Sequence, residues 1–441
     1  MEVFGVNEVG RKRVCVVGAG AAGLAAIRHI AASETLEGTV FESAGDIGGI
    51  WRDDGLTPLY KGLKTNLPKQ IMGFLDFSFD TDNSEKNSFL MHYEVLNFLT
   101  AFTDKFSLKD YIHFNTKVLH IRPVKKVDAK CTANKELLWE VTYERSSKKN
   151  IEYFDAVAIC NGYNAYSKHF NTSLIPGPKQ LYEFKGKLMY SREYRIPEPF
   201  TGKNVLVYGC GPSGIDIMLE IVNLVSQITF SFRRPPYTGN LPDKISQKPP
   251  IKDVHGYSVT FQDGTISDFD VILICTGYEY DLPFLTPEES CLRIENGKFI
   301  SPLYRHMINI SYPTMALIGL PFRNCPFMLF DCQMRYFVKL LEGKASLPTE
   351  AVMLAELEAE KKYRIDKQIG FSKSHQLEEL QWPYMRSLAK DGNFSHLLAD
   401  LQVKRKIYEK VAQRRHAFPA LYKNDEIVVL DNESYSFLEA V

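Results

Sequence analysis

The chain has 441 residues, 45% of them hydrophobic and 24% charged, with 53 basic and 53 acidic side chains and no formal net charge. That length is too great for one ordinary core and predicts two or three domains, while the charge balance gives no reason to expect nucleic acid or an acidic membrane as partner. The eight cysteines stand singly, and Cys15, Cys160, Cys210 and Cys275 lie in apolar strand runs or beside glycine turns, which predicts buried thiols in a reducing, cytoplasmic setting.

Arg11, Lys12 and Arg13 before VCVVGAGAAGLAAI have the outline of a secretory signal, but cleavage there would remove a nucleotide loop. The same stretch predicts a strand over 13–17, a glycine turn, a helix to about residue 32 and a strand over 38–42. In GAGAAG, Gly18 permits the tight turn, Gly20 lets backbone approach a pyrophosphate, and Gly23 lets helix and strand pack closely. Ala19, Ala21 and Ala22 complete a helix N-terminus that faces negative charge. Glu42, at the end of the second strand, stands where an acid accepts hydrogen bonds from an adenosine ribose. In the following SAGDIGGIW, Gly48 and Gly49 let backbone approach a ring system and Trp51 closes one side of it, with Gly49, Ile50 and Trp51 counted among the cofactor-binding residues; the alternative is a surface turn with an anchoring aromatic.

Helical spacing covers 92–106, and 117–121, 138–144 and 151–154 are predicted strands of a meander, with Lys148, Lys149 and Asn150 as its polar turn. FDAVAICNGY at 154–163 and FDVILICTGY at 269–278 are matching segments, each predicted as the last parallel strand of its unit. The second glycine loop, GCGPSG, offers Gly209, Gly211, Pro212, Ser213 and Gly214. Glu42 follows Gly18 by the same offset at which Arg233 follows Gly209 (18 to 42, 209 to 233), and Arg234 comes next. With no acid at that strand end, the arginine pair suits a ribose 2′-phosphate. The first loop is thus assigned a dinucleotide with free ribose hydroxyls, FAD or NAD, and the second NADPH. Asp263-Gly264 marks a hairpin.

The fold class that follows is α/β, with two Rossmann-like dinucleotide-binding domains in a glutathione-reductase-like arrangement and the second inserted into the first. The expected division is 1–168, 169–281 and 282–441, the last part ending in a charged, helix-rich extension packed on the surface. No run of about 18 apolar residues predicts a membrane anchor. The ten histidines show no metal-ligand spacing, so no metal is expected. There is no GxSxG elbow, and no cysteine pair stands beside the first unit to take electrons from a flavin as a disulfide reductase requires.

The nesting of the two units, the GGIW segment and KTNLPKQIMGFLDFSF at 64–79 together resemble the flavin-containing monooxygenases over about the first 340 residues. The short chain without a hydrophobic tail is closest in style to insect members such as alkaloid N-oxygenases. The resemblance implies that Thr65, Asn66 and Leu67 lie at the junction of flavin and nicotinamide, with the Asn66 amide bridging the two as the catalytic residue. The alternative for Asn66 is a turn-forming residue before Pro68. It further implies that Val118 meets the FAD adenine and that Gln333 opens a helix aimed at the flavin. The family signature FxGxxxHxxx[F/Y] falls on Phe184, Gly186, Tyr190 and Tyr194, where Tyr190 replaces the histidine and loses its titration near neutral pH.

The activity so implied is NADPH- and O2-dependent: hydride passes to FAD, oxygen adds to give a peroxyflavin, and a tertiary amine or thioether takes one oxygen atom as N-oxide or S-oxide, alkaloids and xenobiotics among the candidates. An FAD-dependent NADPH oxidase or reductase, a Baeyer–Villiger ketone oxidation and a non-catalytic redox sensor stay open as alternatives. Oligomeric state is not set by the sequence, and a homo-oligomer is compatible with it.

Overall fold

In a computed structural model of the chain, the described residues are 10–55, 57–79, 87–125, 137–162, 181–233 and 236–440. Strand β1 (Lys12–Val17), helix α1 (Ala21–Ala31) and strand β2 (Leu36–Phe41) form the first β-α-β unit. Helix α2 (His92–Lys105) and the short β3 (Ile112–His113) follow. An antiparallel meander, β4 (Thr116–Lys125), β5 (Leu137–Arg145) and β6 (Lys148–Phe154), then precedes β7 (Ala156–Ile159).

The pattern recurs. After β8 (Lys187–Tyr190) come β9 (Asn204–Tyr208), α3 (Pro212–Ile221), β10 (Gln227–Ser231) and β11 (Ile245–Lys248). A second meander, β12 (Ile251–His255), β13 (Ser258–Phe261) and β14 (Ile266–Asp268), leads to β15 (Val271–Ile274). The chain continues through α4 (Pro287–Ser290), the hairpin β16 (Arg293–Glu295) and β17 (Phe299–Ser301), then β18 (Leu303–Tyr304), β19 (Ile308–Asn309) and β20 (Met315–Leu317). Helices α5 (Pro326–Leu341), α6 (Glu350–Asp366), α7 (Gln381–Asp391) and α8 (Leu401–Ala417) and the hairpin β21 (Glu426–Val429) and β22 (Tyr435–Leu438) end it.

A seven-stranded sheet has the order β18-β19-β20-β7-β1-β2-β3, and a five-stranded sheet the order β11-β10-β9-β15-β8. Every strand of the second comes from the chain between β7 and β18, so the first sheet is completed only when the chain returns. Strands β1, β7, β9 and β15 are buried along nearly their whole length because helices or loops cover both faces of a parallel sheet, and their valine and isoleucine runs match that environment. Alanines at 21, 22, 25 and 26 keep α1 thin, which lets it lie buried between the first sheet and α5.

Three expectations are corrected. The turn between β5 and β6 is Ser146-Ser147, both at positive φ (50° and 61°), while Lys148, Lys149 and Asn150 pair within β6. A two-residue loop with both residues left-handed matches the twist of a hairpin, and that geometry outweighs local polarity. The segment ending at Cys160 is not the last parallel strand of its sheet, because β20 pairs parallel with β7 on the far side. The C-terminal extension is not a surface layer: Met385, Leu388, Ile407, Val411 and Tyr422 are fully buried in the main core with α1 and α5. Each aliphatic side chain buried so contributes about 1.5–3 kcal/mol. No helix among the described residues is long and apolar enough to cross a membrane.

Candidate active site

The two glycine loops are built alike, down to their neighbours. Gly18 and Gly209 have φ of +99° and +115°, open to glycine and strained for other residues. The Gly18 N–H donates to the Phe41 carbonyl at 2.8 Å, and the Gly209 N–H to that of Ser231 at 2.9 Å. A Cβ on Gly18 would lie 2.8 Å from the carbonyl oxygen of Cys160, and one on Gly209 would lie 2.5 Å from that of Cys275. On Gly23 and Gly214 a Cβ would overlap the carbonyl oxygens of Gly18 and Gly209. The repeated Ile-Cys segments therefore form the wall against which each loop turns. Burial pushes both the Cys160 and Cys275 thiols up, the latter to about 12, so they stay neutral.

Gly20 and Gly211 are the N-caps of α1 and α3, extended and without a capping side chain. The first-turn N–H groups of Ala21, Ala22 and Ser213 thus have no capping side chain, the arrangement that suits a phosphate group, while Pro212 brings no N–H but starts its helix. This is the observation that fits the chain to dinucleotides: two helix N-termini, each cradled where a Cβ would collide.

Beyond the loops the units diverge. Glu42 is 8% exposed: one oxygen accepts the Ala19 N–H at 2.7 Å and the other the Ala44 N–H at 2.8 Å. The oxygen that accepts from Ala44 also accepts the Ser43 hydroxyl at 3.3 Å, while the one that accepts from Ala19 keeps a lone pair for a ribose hydroxyl. The Glu42 carbonyl accepts the Thr116 N–H at 2.8 Å, which brings Val118, buried on β4, near this strand end. There the ladder with β5 slips between Val118 and His120. The corresponding Arg233 is exposed, two residues beyond β10, and Arg234 lies outside the described residues.

The GGIW segment folds onto the first loop. The Gly48 N–H donates to the Ala19 carbonyl at 3.1 Å, and a Cβ on Gly49 would come within 3.0 Å of Gly20 Cα. Ile50 is exposed and Trp51 half-buried. Thr65 is buried and serves the loop itself: its N–H donates to the Leu90 carbonyl at 2.8 Å, and its hydroxyl accepts the Leu90 N–H at 3.0 Å. Leu67 packs half-buried against the main core, and Asn66 between them is half-buried.

Gln333 is not at a helix start. Helix α5 begins at Pro326, a proline in the first turn where its missing N–H costs nothing, so Gln333 lies two turns in and fully buried. Its Oε1 accepts the Gly319 N–H at 2.9 Å and its Nε2 donates to the Tyr384 hydroxyl at 2.8 Å. Both ends of the amide are spoken for within the protein, so Gln333 props the turn after β20. Tyr194, the last signature position, is fully buried and meets Tyr60 edge-to-face at 5.2 Å, which makes it a packing residue between the two sheets' segments. Tyr190 ends β8, its N–H donating to Glu193 at 2.8 Å.

Three residues near Asn66 went unmarked in the sequence. The Tyr422 hydroxyl donates to Asn66 Oδ1 at 3.1 Å. Lys423 Nζ donates to the Lys64 carbonyl at 3.2 Å and to Asp216 Oδ2, on α3, at 2.9 Å. With Tyr60, Gly62 and Glu220 the charged residues of this group line a cavity of about 220 Å³. Burial raises the Glu220 carboxyl above its ordinary value. No local pattern could have shown these contacts, which join positions 356, 359 and 207 residues apart.

A family model described as flavin-binding monooxygenase-like matches residues 11–239 and 237–403. Senecionine N-oxygenase of Tyria jacobaeae is 31% identical over 367 residues, 78% of this chain and 74% of that protein. An Arabidopsis thaliana protein named flavin-containing monooxygenase FMO GS-OX-like 6 is 31% identical over 406 residues, 86% of this chain and 82% of that protein. Among solved structures, S-allyl-L-cysteine S-oxygenase from Allium sativum superposes with a TM-score of 0.82 at 29% identity, covering 94% of this chain and 95% of that one.

Proposed function

The chain belongs to the flavin-binding monooxygenase-like family, and from that premise we propose that it transfers one oxygen atom to an amine nitrogen or a thioether sulfur. It is an FAD- and NADPH-dependent monooxygenase, and heteroatom oxygenation is the activity of its relatives. Bound FAD would supply the redox chemistry: a hydride from NADPH and one proton from solvent reduce O2 so that one oxygen atom joins the substrate lone pair and the other leaves as water, with NADP+ as the oxidised product.

The observation that carries the assignment of cofactors is the pair of equivalent loops with opposite charge at their strand ends. Gly18, Ala19, Gly20, Ala21, Ala22 and Gly23 hold the FAD pyrophosphate, Glu42 its ribose and Val118 its adenine side, with Gly49, Ile50 and Trp51 lying over the loop. Gly209, Gly211, Pro212, Ser213 and Gly214 hold the NADPH pyrophosphate, and Arg233 with Arg234 its 2′-phosphate. Thr65 and Leu67 fix the segment that presents Asn66, whose amide donates to the bound cofactors. Gln333 acts at one remove, through Gly319. We read residues 1–168 and 282–441 as the FAD domain and 169–281 as the NADPH domain.

No acid, base or nucleophile is required of the protein on the substrate, because the substrate lone pair is itself the nucleophile. The protein's tasks are to orient, to donate hydrogen bonds and to exclude water. The similarity to senecionine N-oxygenase supports an amine and that to S-allyl-L-cysteine S-oxygenase supports a sulfur, so a site for soft nucleophiles in general is the reading favoured. The seven described cysteines, all free, support a cytoplasmic location.

The test is to reduce the purified yellow protein with NADPH under argon, admit oxygen, and assay N-oxide or S-oxide with trimethylamine and with methyl phenyl sulfide. Oxide formed in step with NADPH supports the proposal. Hydrogen peroxide as the sole product with every nucleophile would select an oxidase instead.

A further inference from the structure

We propose that Tyr422, in the C-terminal extension, is a positioning residue for Asn66: by occupying Oδ1 it keeps the amide Nδ2 as the end offered to the bound cofactors. The proposal rests on the reading of Asn66 above and adds a residue to it.

Tyr422 is 1% exposed and its ring meets Phe89 edge-to-face at 5.3 Å. Two tethers fix the place of its hydroxyl. On one side Lys423 binds the carbonyl of Lys64, two residues before Asn66. On the other, the Ile427 N–H donates to Ser88 Oγ at 2.8 Å, and the Ser88 carbonyl accepts the Lys69 N–H at 2.7 Å, three residues after Asn66. The hydroxyl is thus held against the Asn66 side chain by the same loop that carries Asn66.

Burial pushes the Tyr422 phenol above its ordinary range, so it remains a donor at any pH the protein tolerates. An asparagine amide has one accepting and one donating end. With a permanent donor on Oδ1 the rotamer is set, and no described residue accepts a hydrogen bond from Nδ2. A flipped amide would turn the Tyr422 oxygen into an acceptor and leave its O–H without the Asn66 Oδ1 it now donates to, which in a buried setting is costly.

The test compares Tyr422→Phe, Asn66→Ala and the double variant, all as FAD-loaded enzymes. Tyr422→Phe keeps the ring and its contact with Phe89, so FAD content is retained and the unfolding temperature falls by no more than about 2 °C. Two quantities are then read: the dissociation constant of NADP+, by titrating the flavin absorbance of the oxidised enzyme, and the hydrogen peroxide released from NADPH in air with no amine or sulfide added. In Tyr422→Phe the first rises about three- to tenfold, the range for one lost neutral hydrogen bond, and the second rises with it. In the Asn66→Ala background, adding Tyr422→Phe changes either by less than about twofold. Equal effects in both backgrounds, or wild-type values in Tyr422→Phe beside a defective Asn66→Ala, would overturn the role of Tyr422. Wild-type values in Asn66→Ala itself would show instead that the Asn66 reading fails, and the proposal falls with it.

Discussion

Lys423 and Asp216 join the C-terminal extension to the helix that follows the second glycine loop, with Nζ and Oδ2 at 2.9 Å and side chains only 16% and 12% exposed. Burial lowers the Lys423 ammonium, and Asp216 opposes that shift. Removing Asp216 leaves a mostly buried cation without its counter-charge, so Asp216→Leu should cost about 3 kcal/mol. Asp216→Leu with Lys423→Met should recover most of the loss. Urea midpoints of the four proteins check this, and a double variant as unstable as the single one would remove the pair from the account.

Each glycine loop should fail separately. Gly23→Ala places a methyl group on the Gly18 carbonyl, and Gly214→Ala does the same at Gly209. The first variant should purify with less than about a tenth of the wild-type FAD, a loss of more than about 1.4 kcal/mol in binding. The second should be yellow but need at least about tenfold more NADPH for half-maximal flavin reduction. Visible absorbance and anaerobic titration distinguish them, and the reverse pattern would exchange the two cofactor assignments.

Arg233 is exposed at the strand end that corresponds to Glu42. Arg233→Ala should raise the NADPH half-saturation about ten- to hundredfold, as expected for a charge-assisted hydrogen bond to phosphate, and leave that of NADH nearly unchanged. Stopped-flow reduction with each nucleotide measures the ratio; an equal loss for both would remove the phosphate contact.

Acid should destabilise the fold in two stages. Burial drives His375 well below its ordinary value and lowers His29, and the Ile300 N–H donates to His375 Nε2 at 3.1 Å, which requires that nitrogen to be unprotonated. Because the folded-state values lie below the unfolded one, the unfolded chain alone takes up these protons as pH falls through about 6.5. Stability is therefore flat above about pH 7 and declines below 6.5. Asp331 and Glu360 are held down to about 2 beside His29 and His306, so their contribution is present above the unfolded carboxylate range of about 4 and is lost between there and about 2. His375→Gln, which keeps an acceptor for Ile300, should make the first stage shallower, leaving the part due to His29, and leave the second. Denaturant midpoints from pH 3 to 8 test both.

The legible parts of the fold were those in which a short segment dictates its own geometry. A strand, a glycine turn and a helix of ordinary length fix where the next strand ends, so the strand ends near Glu42 and Arg233 could be located by counting from Gly18 and Gly209. The polar run Lys148 to Asn150 misled because hairpin twist favoured Ser146-Ser147 as the turn. Gln333 was misplaced because the helix start lies at Pro326, and an apolar run gives little sign of where its first turn falls. The charged extension after Glu350 looked superficial in composition, yet its apolar stripe enters the main core.

By itself the sequence determined that the chain carries two glycine loops of the dinucleotide-binding kind and which charge stands at each following strand end, since those features depend on backbone conformation within some 25 residues. Only the tertiary structure decided what surrounds Asn66. The hydroxyl of Tyr422 and the ammonium of Lys423 arrive there because the C-terminal helices bury their apolar faces against α1 and α5, and that burial, summed over the whole extension, carries two polar groups to a loop 356 residues away.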